Sequence, residues 1–130
     1  MTKFKPQIYS EMGRLRKVVI GIANKIGPTP LLEDCYDPKS RESVLNGIYP
    51  IESDLVVEID SFASVLERYN VEVFRPDDII GTNQVFARDI SFAIEDRFII
   101  PNIIEDRQKE IEGIGFLKTK IEEDHIVDFS

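Results

Sequence analysis

An aromatic ring and a carboxylate lie three positions apart in the segment Phe86-Ala87-Arg88-Asp89, just before a run of strand-forming residues. A ring can stack on the face of a planar cation, while a carboxylate accepts two N–H bonds along the edge of that cation. Guanidinium is a planar cation that suits both groups. Phe86 and Asp89 are therefore candidate ligands of a guanidinium group, and this interpretation requires Asp89 to face a concave surface.

A second charged pair follows on the next predicted helix, which begins near Ile104 and carries Arg107 and Glu110. Arg and Glu at this i,i+3 spacing commonly form an ion pair on a helix surface. The alternative is that Arg107 binds the carboxylate of a substrate. The sequence leaves both interpretations of Arg107 open.

These motifs resemble those of the guanidino-group-modifying enzymes of the pentein fold, a superfamily that includes amidinotransferases and arginine deiminases. Such enzymes have an Arg-Asp pair before two strands and, downstream, an Arg and a Glu three residues apart on a helix. Arg88-Asp89 matches the first motif, and Arg107 with Glu110 matches the second. The run Leu15-Arg16-Lys17-Val18-Val19-Ile20 is similar to the entry strand of the family.

The resemblance implies substrate-binding roles for Asp89, Phe86 and Arg107, together with a covalent mechanism. In that mechanism a cysteine thiolate attacks the guanidinium carbon, and a histidine protonates the leaving amine. The cysteine and histidine of the family lie later than any position here, so no catalytic residue is identified and these 130 residues alone are expected to be inactive. The implied substrate is a small, arginine-like guanidino compound, and no cofactor is implied.

Three alternatives remain for the function. An amidinotransferase passes the amidino group to an amine, whereas an arginine deiminase-like hydrolase passes it to water. Residues 21–30 are more similar to the amidinotransferase branch, because they lack the His-Arg-Pro-Gly run of the deiminases. The third alternative is a non-enzymatic binding or assembly module with the pentein fold. An amidinotransferase-like enzyme is the expectation, and the other two functions stay open.

A cysteine and a histidine can form a catalytic dyad, and this sequence has one of each. Cys35, however, falls in a connection rich in Gly and Pro, and His125 opens a terminal strand beside acidic residues. We interpret them as a loop thiol and a solvated histidine. Because one His and one Cys do not supply a three-ligand zinc site without carboxylates, no metal is expected.

Composition indicates a globular chain of one domain, residues 1–130, whose 42% hydrophobic residues can form a core. The net charge of −8 argues against nucleic acid as a partner, because phosphate backbones require clustered Lys and Arg. No apolar run approaches the ~20 residues that span a bilayer. A single cysteine and the lack of a visible secretory signal are typical of cytoplasmic proteins.

The first half of the sequence predicts a strand at residues 17–21 and a long connection over about residues 22–50, with a short helix at residues 39–45. The clearest helix covers residues 51–69, with Ser53 as the candidate N-cap. Its apolar stripe comprises Leu55, Ile59, Phe62, Leu66 and Tyr69. Asn70 ends this helix, and residues 71–74 form a strand.

The second half predicts strands at residues 91–95 and 97–101, then a helix that Gly113 and Gly115 weaken, then a strand at residues 125–129. One side of this helix carries Ile111, Ile114, Leu117 and Ile121. The order of elements in the two halves is similar, which indicates a repeated unit.

Together with the resemblance, this repeat implies an α/β (α+β) fold. It would be a partial pentein, or α/β propeller, with about the first two of five ββαβ-type blades. A piece of two blades exposes apolar faces that its neighbours would cover. We therefore expect a homo-oligomer or another association through these faces.

Overall fold

The structure, a computed structural model, describes residues 2–130. Within these residues the fold is mixed α/β, with four α-helices, two small sheets and no closed barrel. The strands are β1 (Lys17–Val19), β2 (Glu72–Phe74), β3 (Phe92–Ile94), β4 (Arg97–Ile100) and β5 (Ile126–Asp128). The helices are α1 (Pro38–Leu45), α2 (Glu52–Arg68), α3 (Gln108–Gly113) and α4 (Leu117–Lys120).

The first sheet pairs β1 with β2 in parallel, in the register that places Val19 opposite Phe74. Parallel neighbours require a crossover of a dozen or more residues, and α2 lies within this one. The pairing continues past β1, because the Ile20 N–H donates to the Phe74 carbonyl over 3.0 Å. The predicted strands at residues 17–21 and 71–74 are thus confirmed.

Helix α2 lies within the predicted bounds, but its predicted N-cap is wrong. The cap residue is Ile51, which has no side-chain acceptor, so Ser53 falls inside the first turn. At the other end Asn70 adopts a left-handed conformation with φ of 61°, and the Val71 N–H donates to the Leu66 carbonyl over 3.1 Å. A left-handed residue is a common way to end a helix, and Asn adopts this conformation more readily than most residues.

The long connection contains the short helix that the sequence predicts. Helix α1 begins at Pro38, one residue before its predicted start, and Asp37 caps it by accepting the Ser40 N–H over 2.8 Å. Proline is favoured at the first helical position because it needs no hydrogen-bond acceptor there. A short 3₁₀ turn at Leu32–Asp34 precedes α1 and was not predicted.

The second sheet has the order β3-β4-β5, with β3 and β4 antiparallel and β4 and β5 parallel. The turn between β3 and β4 is Glu95-Asp96, where Glu95 has a φ of 51°. The predicted strand pair and terminal strand are confirmed. In both halves of the chain the strands on either side of the helical crossover are parallel neighbours, as a repeated unit predicts.

The predicted second helix is divided into α3 and α4 after Gly113. Its apolar side forms the centre of the core, where Ile114, Leu117 and Ile121 are each at most 2% exposed. Full burial of side chains of this size stabilises a fold by roughly 1.5–3 kcal/mol each. The remaining members of this buried cluster are Phe74, Ile90, Phe98 and Ile100.

Two single-residue bridges anchor the N-terminal segment, for which the sequence predicts no pairing. Phe4 pairs in parallel with Ile121, and Ile8 pairs antiparallel with Glu95 at the turn of the second sheet. The ring of Phe4 also stacks on Phe74 with centroids 6.1 Å apart. The N-terminal segment therefore connects α4, the first sheet and the second sheet.

The apolar stripe of α2 is only partly covered. Ala63 is buried and Ile59 is half-buried, but Phe62 is 56% exposed and Tyr69 is 74% exposed. This exposure matches the expectation that apolar faces remain uncovered. Among residues 2–130, no helix combines the length and the apolar composition needed to cross a membrane.

The close approach of Gly21 to the segment before the candidate site gives a stability prediction. A Cβ at Gly21 would lie 2.0 Å from the Val85 carbonyl oxygen and 2.3 Å from that of Gln84. We expect Gly21→Ala to lower the free energy of unfolding by about 3 kcal/mol, the upper end of ordinary overpacking. Denaturant unfolding followed by circular dichroism measures this change.

The matched control is Gly13→Ala, whose Cβ would meet its nearest atom at 3.6 Å. We expect that variant to differ from the parent by less than about 0.5 kcal/mol. Equal stability of the two alanine variants would contradict the close packing of residues 21 and 85.

Candidate functional site

A short 3₁₀ turn, Ala87–Asp89, presents the first two candidate residues. The Asp89 N–H donates to the Phe86 carbonyl over 3.0 Å, which closes the turn. Ala87 and Ile90 are buried at 6% and 2% exposure and anchor the turn to the core. Phe86, directly before Ala87, and Asp89, directly before Ile90, remain on the surface.

The Arg107 guanidinium joins the candidate residues into one cluster. Its Nε and Nη2 donate to the two oxygens of Glu110 over 2.9 and 2.7 Å. Its Nη1 donates to Asp89 Oδ2 over 2.9 Å, and Nη2 lies 3.4 Å from the Phe86 carbonyl oxygen. Residues 18 and 21 positions apart in the chain are thereby in direct contact.

Burial differs sharply across this cluster. The side chain of Glu110 is 3% exposed, that of Arg107 is 15% exposed, and that of Asp89 is 42% exposed. Hydrogen bonding to Glu110 raises the pKa of Arg107 above its ordinary range, with partial burial opposing this effect and Asp89 adding to it. One permanent cation therefore lies between a buried carboxylate and a half-exposed one.

The second carboxylate oxygen of Asp89, Oδ1, has only a weak partner within the chain. Oδ1 lies 3.6 Å from Arg88 Nε, and the Arg88 side chain is 89% exposed. Phe86 is 55% exposed beside it in the sequence. A carboxylate oxygen and an aromatic ring are thus both accessible to a ligand.

The candidate residues lie outside two cavities of the structure. A cavity of about 410 Å³ lies against α1, and one of about 120 Å³ lies beside Phe4 and Phe74. Neither cavity is lined by Phe86, Asp89 or Arg107. The concave surface that the sequence interpretation requires around Asp89 is therefore not formed by either of them.

Two further residues lie near the cluster and were not recognised in the sequence. The Tyr36 hydroxyl, from the long connection, has a pKa raised by burial, while the charge of Arg107 lowers it and that of Glu110 raises it. Tyr36 is therefore near the cluster. An aromatic residue in a loop rich in Gly and Pro gives no signal of this proximity.

Gln84 is the second residue, 3% exposed. Its amide accepts the Ile79 N–H and donates to the Asp77 carbonyl, both over 2.8 Å, and so closes the loop that leads to Phe86. A Cβ on Gly113 would lie 2.4 Å from Gln84 Nε2. Gln84 and Gly113 thus hold this loop against the end of α3, the helix that carries Glu110.

Cys35 and His125 have separate partners. The buried Cys35 thiol donates to the Leu31 carbonyl over 3.5 Å. His125 Nδ1 lies 2.8 Å from the Asp96 carbonyl oxygen and 3.2 Å from the Asp96 carboxylate. The Asp96 contacts join His125 to the β3–β4 turn.

No protein-family model matches this chain, and a search of curated proteins finds none that is similar to it. The resemblance to guanidino-group-modifying enzymes thus depends on the sequence motifs alone.

The buried ion pair gives a second stability prediction. Arg107→Met leaves the Glu110 carboxylate buried without its partner, so we expect the free energy of unfolding to fall by about 3 kcal/mol. The matched control is Lys39→Met, because Lys39 and Glu42 form an ion pair at the same i,i+3 spacing with side chains 89% and 57% exposed.

The control variant should change the free energy of unfolding by less than about 1 kcal/mol, as is usual for an exposed pair. Denaturant unfolding at neutral pH measures both variants. Similar losses in both would show that Arg107 and Glu110 form an ordinary surface pair.

Proposed function

We propose that this chain forms the guanidino-binding part of an amidinotransferase-like enzyme of the pentein superfamily. One observation carries the proposal. Phe86, Asp89 and Arg107, which the resemblance implies as substrate-binding residues, belong to a single hydrogen-bonded cluster. The cluster has an accessible carboxylate oxygen and an exposed ring, which are the two groups that a guanidinium ligand needs.

Each residue has a distinct role. Asp89 accepts an N–H bond from the guanidinium edge through Oδ1, because Oδ2 is bonded to Arg107, and Phe86 stacks on the guanidinium face. Arg107 has five N–H groups, of which four are directed to Glu110, Asp89 and Phe86. The remaining N–H on Nη1 is available to the carboxylate of an amino-acid substrate. An arginine-like molecule carries both complementary groups.

These contacts would hold the guanidinium of the substrate, which is an unreactive group, in one orientation. A guanidinium is stabilised by resonance and stays charged, so its carbon becomes a target for a thiolate only when it is rigidly oriented. Asp89 neutralises the charge and Phe86 fixes the plane. The thiolate would form a bond to the guanidinium carbon, and the C–N bond to the leaving amine would break as that amine takes a proton.

The fold proposed around this site is a propeller of strand and helix units. Elements β1, α2 and β2 would belong to the first unit, and β3, β4, α3, α4 and β5 would belong to the second. Further units would enclose the open surface at Asp89 and cover the apolar face of α2. Association of the chain through such faces belongs to the same proposal, as does its cytoplasmic location.

A non-enzymatic guanidino-binding module is the second candidate function. The half-exposed Asp89 carboxylate and the exposed Phe86 favour it equally, because binding a guanidinium requires no thiolate. An arginine deiminase-like hydrolase would use the same cluster, because it differs in whether water or an amine attacks the covalent intermediate.

Isothermal titration of the full chain with arginine tests this proposal. We expect Asp89→Asn to weaken arginine binding by about 10-fold or more, because a hydrogen bond between charged groups is lost. Phe86→Leu should weaken it several-fold through the lost cation–π contact. Citrulline, in which a neutral urea replaces the guanidinium, should bind poorly to the parent chain.

The matched control is Asp106→Asn, which removes one negative charge from an exposed position next to Arg107. It should leave arginine affinity within about 2-fold, since screened surface charges contribute little. Equal affinities of the parent chain and Asp89→Asn, or equal binding of arginine and citrulline, would refute the proposed function.

A further inference from the structure

Glu110 is the most deeply buried charged residue among residues 2–130, at 2% exposure. Both of its oxygens accept hydrogen bonds from Arg107, at 2.9 Å from Nε and 2.7 Å from Nη2. A bidentate pair of this kind fixes the plane of the guanidinium, because both groups are planar and two parallel bonds prevent rotation. Once that plane is fixed, the direction of Nη1 is fixed as well.

Nη1 is the atom that holds Asp89. It donates to Asp89 Oδ2 over 2.9 Å and has no contact with Glu110. The other cation beside Asp89 is Arg88, at 3.6 Å on a side chain that is 89% exposed, and so too mobile and too hydrated to fix a carboxylate. Arg107 is therefore the anchored partner of Asp89.

We infer that Glu110 is a positioning residue, which orients the Asp89 carboxylate through Arg107 without touching the ligand. This inference rests on the proposed function for the identity of the ligand, a guanidinium group. Oδ2 of Asp89 is occupied by Arg107, so Oδ1 is the oxygen presented to the ligand. Glu110 thus determines at a distance which carboxylate oxygen is free and where it points.

The burial of Glu110 explains why this residue can fix the orientation of Arg107. An ionised carboxylate out of water is costly unless it is paired, so Glu110 keeps Arg107 in place far more strongly than an exposed acid would. The half-exposed Asp89 is held more weakly by the same guanidinium. The cluster therefore has one strong bidentate contact for orientation and one accessible contact for recognition.

The test uses the full chain, labelled with ¹⁵N, and the variants Glu110→Gln, Asp89→Asn and the combination of both. Glutamine keeps the size of the side chain and loses the charge. Two quantities are measured on each protein: the NMR signals of the Arg107 Nη1 protons, and the Kd for arginine by titration. Unfolding curves establish that each variant is folded under the conditions used.

In the parent chain, the Nη1 protons of Arg107 should give separate signals, because rotation of the guanidinium is blocked. In Glu110→Gln these signals should merge, although Nη1 does not touch residue 110. The Kd for arginine should rise by about 10-fold, the usual effect of losing one charged hydrogen bond. In the combined variant the Kd should equal that of Asp89→Asn, because both substitutions act through one carboxylate.

Separate Nη1 signals in Glu110→Gln would overturn the positioning role. An increase in Kd from Glu110→Gln that persists in the Asp89→Asn background would also overturn it, since a general loss of structure would act in either background. Absence of arginine binding to the parent chain would instead refute the proposed function, and the NMR comparison would still decide whether Glu110 orients Asp89.

If Glu110→Gln does not fold, Arg107→Lys is the second variant. Lysine keeps the charge beside Glu110, but its compact ammonium does not reproduce the fork that reaches both carboxylates. Because Arg107 is itself proposed to bind the carboxylate of arginine, this variant is titrated with methylguanidine, which has no carboxylate, and the positioning role predicts an increase of about 10-fold in its Kd. An unchanged Kd in Arg107→Lys would overturn the role.

Discussion

The guanidinium of Arg107 lies between a buried carboxylate and a half-exposed one, and the geometry of the candidate site depends on this contact. Glu110 is tolerated inside the fold because Arg107 pairs with both of its oxygens. The same cation reaches the 3₁₀ turn that holds Phe86 and Asp89. One side chain therefore connects α3 to the turn before β3, and it carries a charge at any physiological pH.

Close packing of the backbone holds the loop before Phe86 against the end of α3 and against the first sheet. Gln84 closes the loop before Phe86, and Gly113 at the end of α3 leaves room for its amide. Gly21 lets the end of the first sheet approach the carbonyls of residues 84 and 85. Larger residues at either glycine would separate the loop from its supports, so the site depends on small residues as well as on charges.

The proposed site has a half-exposed carboxylate and an exposed aromatic residue. Arg107 contacts Asp89 and the Phe86 carbonyl, yet these residues line neither the cavity beside α1 nor the one beside Phe4 and Phe74. Neighbouring units of a propeller would supply the missing walls, and the exposed Phe62 and Tyr69 provide an apolar surface against which such units can pack. Enclosure matters for the chemistry because a charge–charge contact is much stronger away from water.

The sequence predicted elements with regular periodicity well. Strands β1 to β5 and helices α1 and α2 lie where alternation, helical stripes and turn residues placed them, and the helix carrying Ile114 and Leu117 breaks near its glycines. The bridges at Phe4 and Ile8 were missed, because a single paired residue leaves no pattern. Ser53 was wrong as a cap because the helix begins one residue earlier, at Glu52.

The burial of Glu110 and the long-range contacts of the site could not be predicted from the sequence. Arg and Glu at i,i+3 look the same in sequence whether they lie on a surface or in a core, so the 3% exposure of Glu110 could not be read from their spacing. Its burial is set by tertiary packing around α3. The approach of Gln84 to Gly113 likewise joins segments that are distant in sequence.

Carbon-detected NMR of the side-chain carboxylates during arginine titration tests the guanidinium site most directly. The proposed function predicts that the Asp89 Cγ signal shifts in a saturable way, that Glu110 shifts through Arg107, and that citrulline produces neither change. Exposed acids far from the cluster, such as Asp54 and Glu58 on α2, should not respond. Equal shifts at Asp89 and at these surface acids would contradict a specific site and show only general attraction to a chain of net charge −8.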